Sequence, residues 1–202
     1  AFRDRLQATY KPLGVRRILA CLSAAFVAVR PGQVNPFAEK RLPRPPASNY
    51  SRTEAITDED ARRVIAAAAG RGEAPLRDAA LLWVLWATGM RRISLVSIHR
   101  DGMIQREGAV LLRHVVKGGE EVESELPQEA AAAVRAWLAV APRSRWLFCT
   151  LDGSRPMHPE SITKIVRRAA AGARVHPHMF RSAFITRALD AGISLERVRA
   201  AV

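Results

Sequence analysis

Cysteine is scarce in this chain. Cys21 and Cys149 are its two thiols in 202 residues, far apart and without a CxxC pair, which argues against a disulfide framework or a thiolate zinc site and suits a reducing cytoplasm. Lysine is scarcer than the charge suggests: Lys11, Lys40, Lys117 and Lys164 are four of 32 basic residues, so the other 28 are arginine. Tyrosine occurs twice, at Tyr10 and Tyr50. The longest uninterrupted apolar run, residues 79–87, is too short for a membrane span, and the start lacks the charged and apolar regions of a signal peptide. Neither a membrane partner nor export is expected.

What is abundant is positive charge. The formal net charge is +13, and a planar guanidinium engages phosphate oxygens in pairs, so a polyanionic partner is expected. A GC-rich coding habit also raises arginine and alanine content, but it leaves the charge unexplained. Residues 1–56 carry ten basic and three acidic residues, or +7, which leaves +6 for the rest. With 49% hydrophobic and 25% charged residues the chain has the balance of a folded domain, and its length allows one sizeable domain plus part of another.

Residues 14–30 place Val15, Ile18, Leu19, Leu22, Phe26 and Val29 at helical spacing, and Pro31-Gly32 ends that pattern. A Pro-rich, polar stretch follows from Arg41, so a linker is expected over 41–56, between a helical unit at 1–40 and a larger one at 57–202. Thr57 and Asp60 resemble a capping box that opens a helix near Asp58. Residues 76–88 are apolar on almost every face, the pattern of a central buried helix, with Gly89 as its stop. Short β-prone pieces at 103–105, 109–116 and 121–125, separated by Glu107-Gly108 and Gly118-Gly119, predict a small antiparallel sheet. Helical patterns return at 128–140, 159–171, 178–191 and 195–202. The expected fold class is mainly α, with one small antiparallel β-meander.

Three short motifs carry possible chemistry. His178 and Arg181 lie three apart at the start of a predicted helix, where both side chains and the first-turn N–H groups suit a phosphate. From spacing alone a satisfied histidine beside an exposed arginine is the plainer reading. Arg91 follows the buried helix through Thr88-Gly89 and can reach into a cleft, although a basic residue there also complements the helix dipole. Lys117 stands on a glycine hairpin in a chain that otherwise prefers arginine. An ammonium can give up its proton where a guanidinium cannot, yet a solvated turn lysine looks the same.

The order of these pieces resembles the tyrosine recombinase, or phage integrase, family. Thr88-Gly89-Met90-Arg91 matches its TG-hydrophobic-R motif, Lys117 its hairpin lysine, and His178 and Arg181 its H-x-x-R motif; residues 191–195 resemble the continuation. The resemblance covers about 57–202, and more loosely 14–40. It implies a site-specific recombinase that breaks and rejoins DNA through a 3′-phosphotyrosyl link, without metal, ATP or any other cofactor. Arg91 and Arg181 would clamp the nonbridging oxygens, Lys117 would be the general acid, and His178 would assist the phosphate. Double-stranded DNA is the expected partner, with no small-molecule substrate, and the family acts as a homo-oligomer, a tetramer on DNA. The expected setting is the cytoplasm of a bacterial or phage-infected cell, at the nucleoid. Arg16, Arg17, Arg41 and Arg44, and the helical stripe Lys164, Arg167 and Arg168, are the candidate DNA contacts; the stripe reads equally as a solvated face.

Two positions depart from the family pattern: Ser94 stands where an acid is common, and Ser182 where a histidine often follows the second arginine. The family continues into a Gly-His motif and the nucleophilic tyrosine, so the chain is expected to stop short of its nucleophile and to be inactive in cleavage as it stands. Rival readings are a non-catalytic DNA-binding remnant of an integrase and a basic helix-turn-helix regulator. A metal-dependent nuclease is weaker, because His176 and His178 have no carboxylate partners at a ligand spacing.

Overall fold

The most apolar stretch of the sequence becomes the axis of the fold. In the computed structural model, which describes residues 2–46, 54–116 and 118–201, it is helix α4, Pro75–Thr88. Pro75 takes the first helical position, where its missing N–H costs nothing. Leu81, Leu82, Val84 and Leu85 are at most 1% exposed. Such a helix needs cover on all sides, and it receives it from α3 (Asp58–Ala69), α6 (Gln128–Val140) and α8 (Pro177–Asp190).

Two units divide the chain, Ala1–Arg52 and Thr53–Val202. In the first, α1 (Phe2–Thr9) precedes α2 (Pro12–Val29), where Val15 and Leu19 are fully buried. Asn35 fastens the chain after α2 back onto it. Its Nδ2 donates to the Ser23 carbonyl and hydroxyl at 3.1 and 2.9 Å, and its Oδ1 accepts from the Phe37 amide at 2.8 Å. Phe37 then meets Phe2 and Phe26 edge-on, at 6.3 Å in each case. By length and composition alone α2 is apolar enough to cross a membrane, which a count of uninterrupted apolar runs overlooks because Arg16 and Arg17 interrupt it.

The second unit opens as its capping box predicts: Thr57 Oγ1 accepts from the Asp60 amide at 3.1 Å and donates to the Asp60 carboxylate at 2.9 Å. The meander is a three-stranded antiparallel sheet, β1 (Met103–Arg106), β2 (Ala109–Val115) and β3 (Glu121–Leu126), in that order. Glu107 and Gly108 turn between β1 and β2 with φ of 49° and 85°, the positive values a two-residue hairpin needs. Val110, Leu112 and His114 alternate inward from β2. The molecule is thus mainly α with one small sheet, completed by α5 (Arg92–Val96), α7 (Pro159–Ala169) and α9 (Leu195–Ala201). Helices α1 and α5 were not expected, since eight and five residues of mixed character carry too little periodicity.

Candidate active site

The site begins where α4 ends. Thr88, 2% exposed, donates to the Val84 carbonyl at 2.7 Å and accepts from the Met90 amide at 3.4 Å. Gly89 then takes the left-handed conformation, φ 60°. A Cβ there would stand 2.7–2.9 Å from three side-chain atoms of Phe184, so both the turn and the approach of α8 require glycine. Arg91 follows in extended conformation at the N-cap of α5, half-buried.

Helix α8 brings the second motif to the same place. His176 is its N-cap, Pro177 its first residue, and Phe180 is fully buried. Arg181 Nη1 donates to the Gly89 carbonyl at 2.7 Å, so the arginine of H-x-x-R is held by the backbone of TG-hydrophobic-R, 92 residues earlier. One and a half turns on, Arg187 donates to the Trp86 carbonyl at 2.7 Å, lies 3.9 Å over the Trp86 ring and pairs with Asp58 at 3.0 Å. These contacts fix α8 against α4.

Arg91, His178 and Arg181 share a cleft of about 670 Å³ with His176, Arg92, Glu160 and Thr163. Burial, and then the charge of Arg91, push Arg181 down to about 10, still protonated at neutral pH. Desolvation holds His178 below its ordinary value, aided by Arg181, His176 and Arg92. Like charges gathered without an acid between them favour an incoming anion. The one carboxylate lining the cleft, Glu160, is taken by Arg92 at 2.7 Å.

The remaining candidates are scattered. Lys117, between β2 and β3, lies outside the described residues. On α7, Lys164 and Arg167 are exposed, whereas Arg168 is bound to Asp78, which is fully buried and also accepts from Arg77 Nε and Nη2 at 3.0 and 2.9 Å. Lys164 and Arg168 border a separate cavity of about 890 Å³. In the first unit Arg17 and Arg41 are exposed, Arg16 donates to the Pro45 carbonyl at 3.2 Å, and Arg44 lies 3.9 Å from Glu39.

A model of the phage integrase family matches residues 54–202. The chain belongs to that family. It is 28% identical over 199 residues to the tyrosine recombinase XerC of Alcanivorax borkumensis, covering 92% of this chain and 63% of that protein. To XerC of Pseudomonas aeruginosa (strain PAO1) it is 32% identical over 130 residues, 61% of this chain and 42% of that one. The chain therefore spans less than two thirds of these relatives. Among solved structures the fold is shared with a lambda integrase (75–356) dimer bound to a COC′ core site, at TM-score 0.74 and 16% identity over 99% of this chain and 75% of that one. XerH bound to difH in a pre-cleavage complex gives TM-score 0.60 and 17% identity over 73% and 46%.

Within this integrase-family domain the sequence reading missed three cleft residues, Arg92, Glu160 and Thr163, and weighed His176 only as a metal ligand. Arg92 was legible as half of an arginine doublet. Glu160 and Thr163 were not, because they come from α7, about 70 residues away, and look like an ordinary first-turn acid and a helix hydroxyl.

Proposed function

We propose that the chain supplies the phosphate-binding part of a site-specific recombinase that cleaves and rejoins double-stranded DNA through a 3′-phosphotyrosyl intermediate. The observation that carries this reading is the cleft in which Arg91, His178 and Arg181 converge with no carboxylate between them. A tyrosine oxygen attacks phosphorus, the 5′-oxygen leaves with a proton, and the reverse attack by another 5′-hydroxyl rejoins a strand. Arg91 and Arg181 stabilise the charge that builds on the nonbridging oxygens. His178 hydrogen-bonds the phosphate, and Lys117 protonates the leaving oxygen. No metal or other cofactor takes part.

In this reading residues 1–40 and the 41–56 linker are the DNA-clamping part, with Arg16, Arg17, Arg41 and Arg44 on phosphates, and 57–202 is the catalytic part. Lys164 and Arg167 are free to add contacts on α7. Arg168 is the weakest of the candidates because Asp78 already holds it. Copies assemble on DNA in the cytoplasm, a reading supported by neighbours solved as a DNA-bound dimer and as a tetramer on a Holliday junction.

The runner-up is DNA binding without cleavage. The polypeptide of residues 1–202, whose two tyrosines are Tyr10 and Tyr50, tests its nucleophile directly. It should protect duplex DNA with an affinity that falls steeply with salt, by about 0.9 log units per log unit for each phosphate contact, and should leave no protein on the DNA after denaturation. A salt-independent affinity would sink the phosphate reading. A denaturation-resistant band lost in Tyr10→Phe or Tyr50→Phe would show that the nucleophile lies in the first unit or the linker.

A further inference from the structure

The cleft contains a third arginine, and it alone of the three has a carboxylate partner. Arg92 uses both protons of Nη1, donating to Glu160 Oε1 at 2.7 Å and to Thr163 Oγ1 at 2.8 Å. Its Nε and Nη2 have no partner among the described residues. The pair is open to solvent, Arg92 being 39% and Glu160 58% exposed. Glu160 sits in the first turn of α7, where its own amide donates to His158 Nδ1 at 3.2 Å. The pair thus borders the cation cluster, on a wall that the motif residues do not supply.

We propose that Arg92 is a further phosphate-positioning residue, gripping a DNA phosphate beside the one held by Arg91 and Arg181, and that Glu160 is a built-in competitor that keeps Arg92 on α7 until DNA displaces it. This rests on the recombinase reading. A carboxylate and a phosphate present the same paired oxygens to a guanidinium, so one can replace the other without rebuilding the site. An exposed ion pair is weakly held, which makes the exchange reversible. Thr163 supplies a neutral acceptor that can keep the side chain oriented after the carboxylate is exchanged. A structural pair in this domain differs in its carboxylate: Asp78, between Arg77 and an Arg168 about as exposed as Arg92, is fully buried, whereas Glu160 is open to solvent. Arg92 also follows Arg91 directly, and both line the same cleft.

The test is equilibrium binding of the 202-residue chain to a short mixed-sequence DNA duplex over a salt series, with folding of each variant followed by circular dichroism. Glu160→Gln keeps an acceptor for Arg92 but removes the charge, and should bind roughly two- to fivefold tighter, the range set by the worth of an exposed ion pair. Glu59→Gln, at an exposed carboxylate of α3, controls for net charge and should change binding less. Arg92→Ala should weaken binding and reduce the salt slope by about 0.9, and Glu160→Gln should then add nothing to it. The proposal is overturned if Arg92→Ala leaves affinity and slope unchanged, or if Glu160→Gln gains no more than Glu59→Gln. Arg181→Ala separates the two failures: if it weakens binding and Arg92→Ala does not, the roles given to Arg92 and Glu160 are lost and the recombinase reading stands. If Arg181→Ala has no effect either, the cleft is not a phosphate site and the recombinase reading falls with it.

Discussion

Helix α4 ends in arginines on both sides, and the two ends are built oppositely. At its N-terminal end Arg77 and Arg168 converge on Asp78, which is fully buried; burial pushes that carboxyl up from its ordinary value while Arg77 and Arg168 pull it back. At its C-terminal end Arg91 and Arg181 converge with no acid between them, and Arg181 is held by a backbone carbonyl instead. The first cluster is closed around a shared carboxylate and joins α4 to α7. The second is open, and burial first, like charge second, lowers the values of Arg181 and His178. Folding alone does not reward a set of like charges drawn together, so an open cluster points to a ligand and a closed one to architecture.

The contrast can be broken most forcefully at the closed end. Asp78→Ala leaves two arginines around an empty site, one of them Arg77 with 11% of its side chain exposed. It should destabilise the fold by about 3–5 kcal/mol, measured by urea denaturation. A loss near zero would mean that this cluster is no more structural than its counterpart. Gly89→Ala attacks the joint at the open end, where an added Cβ meets Phe184 and φ is 60°. Strain and overpacking should together cost about 2–4 kcal/mol, and Phe184→Ala should recover part of it. Arg181→Ala should behave unlike either, staying within about 1 kcal/mol in stability while DNA affinity drops about tenfold or more.

The smallest effect expected is with pH. Because the folded chain holds His178 below its ordinary 6.5, protonation works against folding. The stability tied to His178 is whole above about pH 6.5 and is lost as pH falls toward the depressed folded value. A bound phosphate reverses the balance by drawing the proton on. DNA affinity should rise by less than tenfold between about pH 7.5 and 5.5, and titrations of His178→Ala should be flat over that range. An equal rise in the alanine variant would assign the effect elsewhere.

Much of this fold was legible in advance, for reasons visible at particular residues. Thr57 and Asp60 cap α3 through contacts three residues apart, and the buried helix needs only its own composition. The β2 strand alternates Val110, Leu112 and His114 inward, and Glu107-Gly108 supplies the turn. The site was legible only in part. Arg91, His178 and Arg181 stood out by motif order, but nothing local distinguishes Arg168, which pairs with Asp78, from its exposed neighbour Arg167, which has no such partner among the described residues.

By itself the sequence determined what depends on near neighbours along the chain: the caps, the turns, the apolar axis and a charge that calls for a polyanion. Tertiary structure decided which arginines around α4 meet partners far along the chain. Arg168 and Asp78 are 90 residues apart, Arg92 and Glu160 are 68 apart, and Arg181 finds the Gly89 carbonyl across 92. Charge pairing between elements follows distance in space rather than spacing along the chain, so these pairs become readable only once packing against α4 has placed α7 and α8.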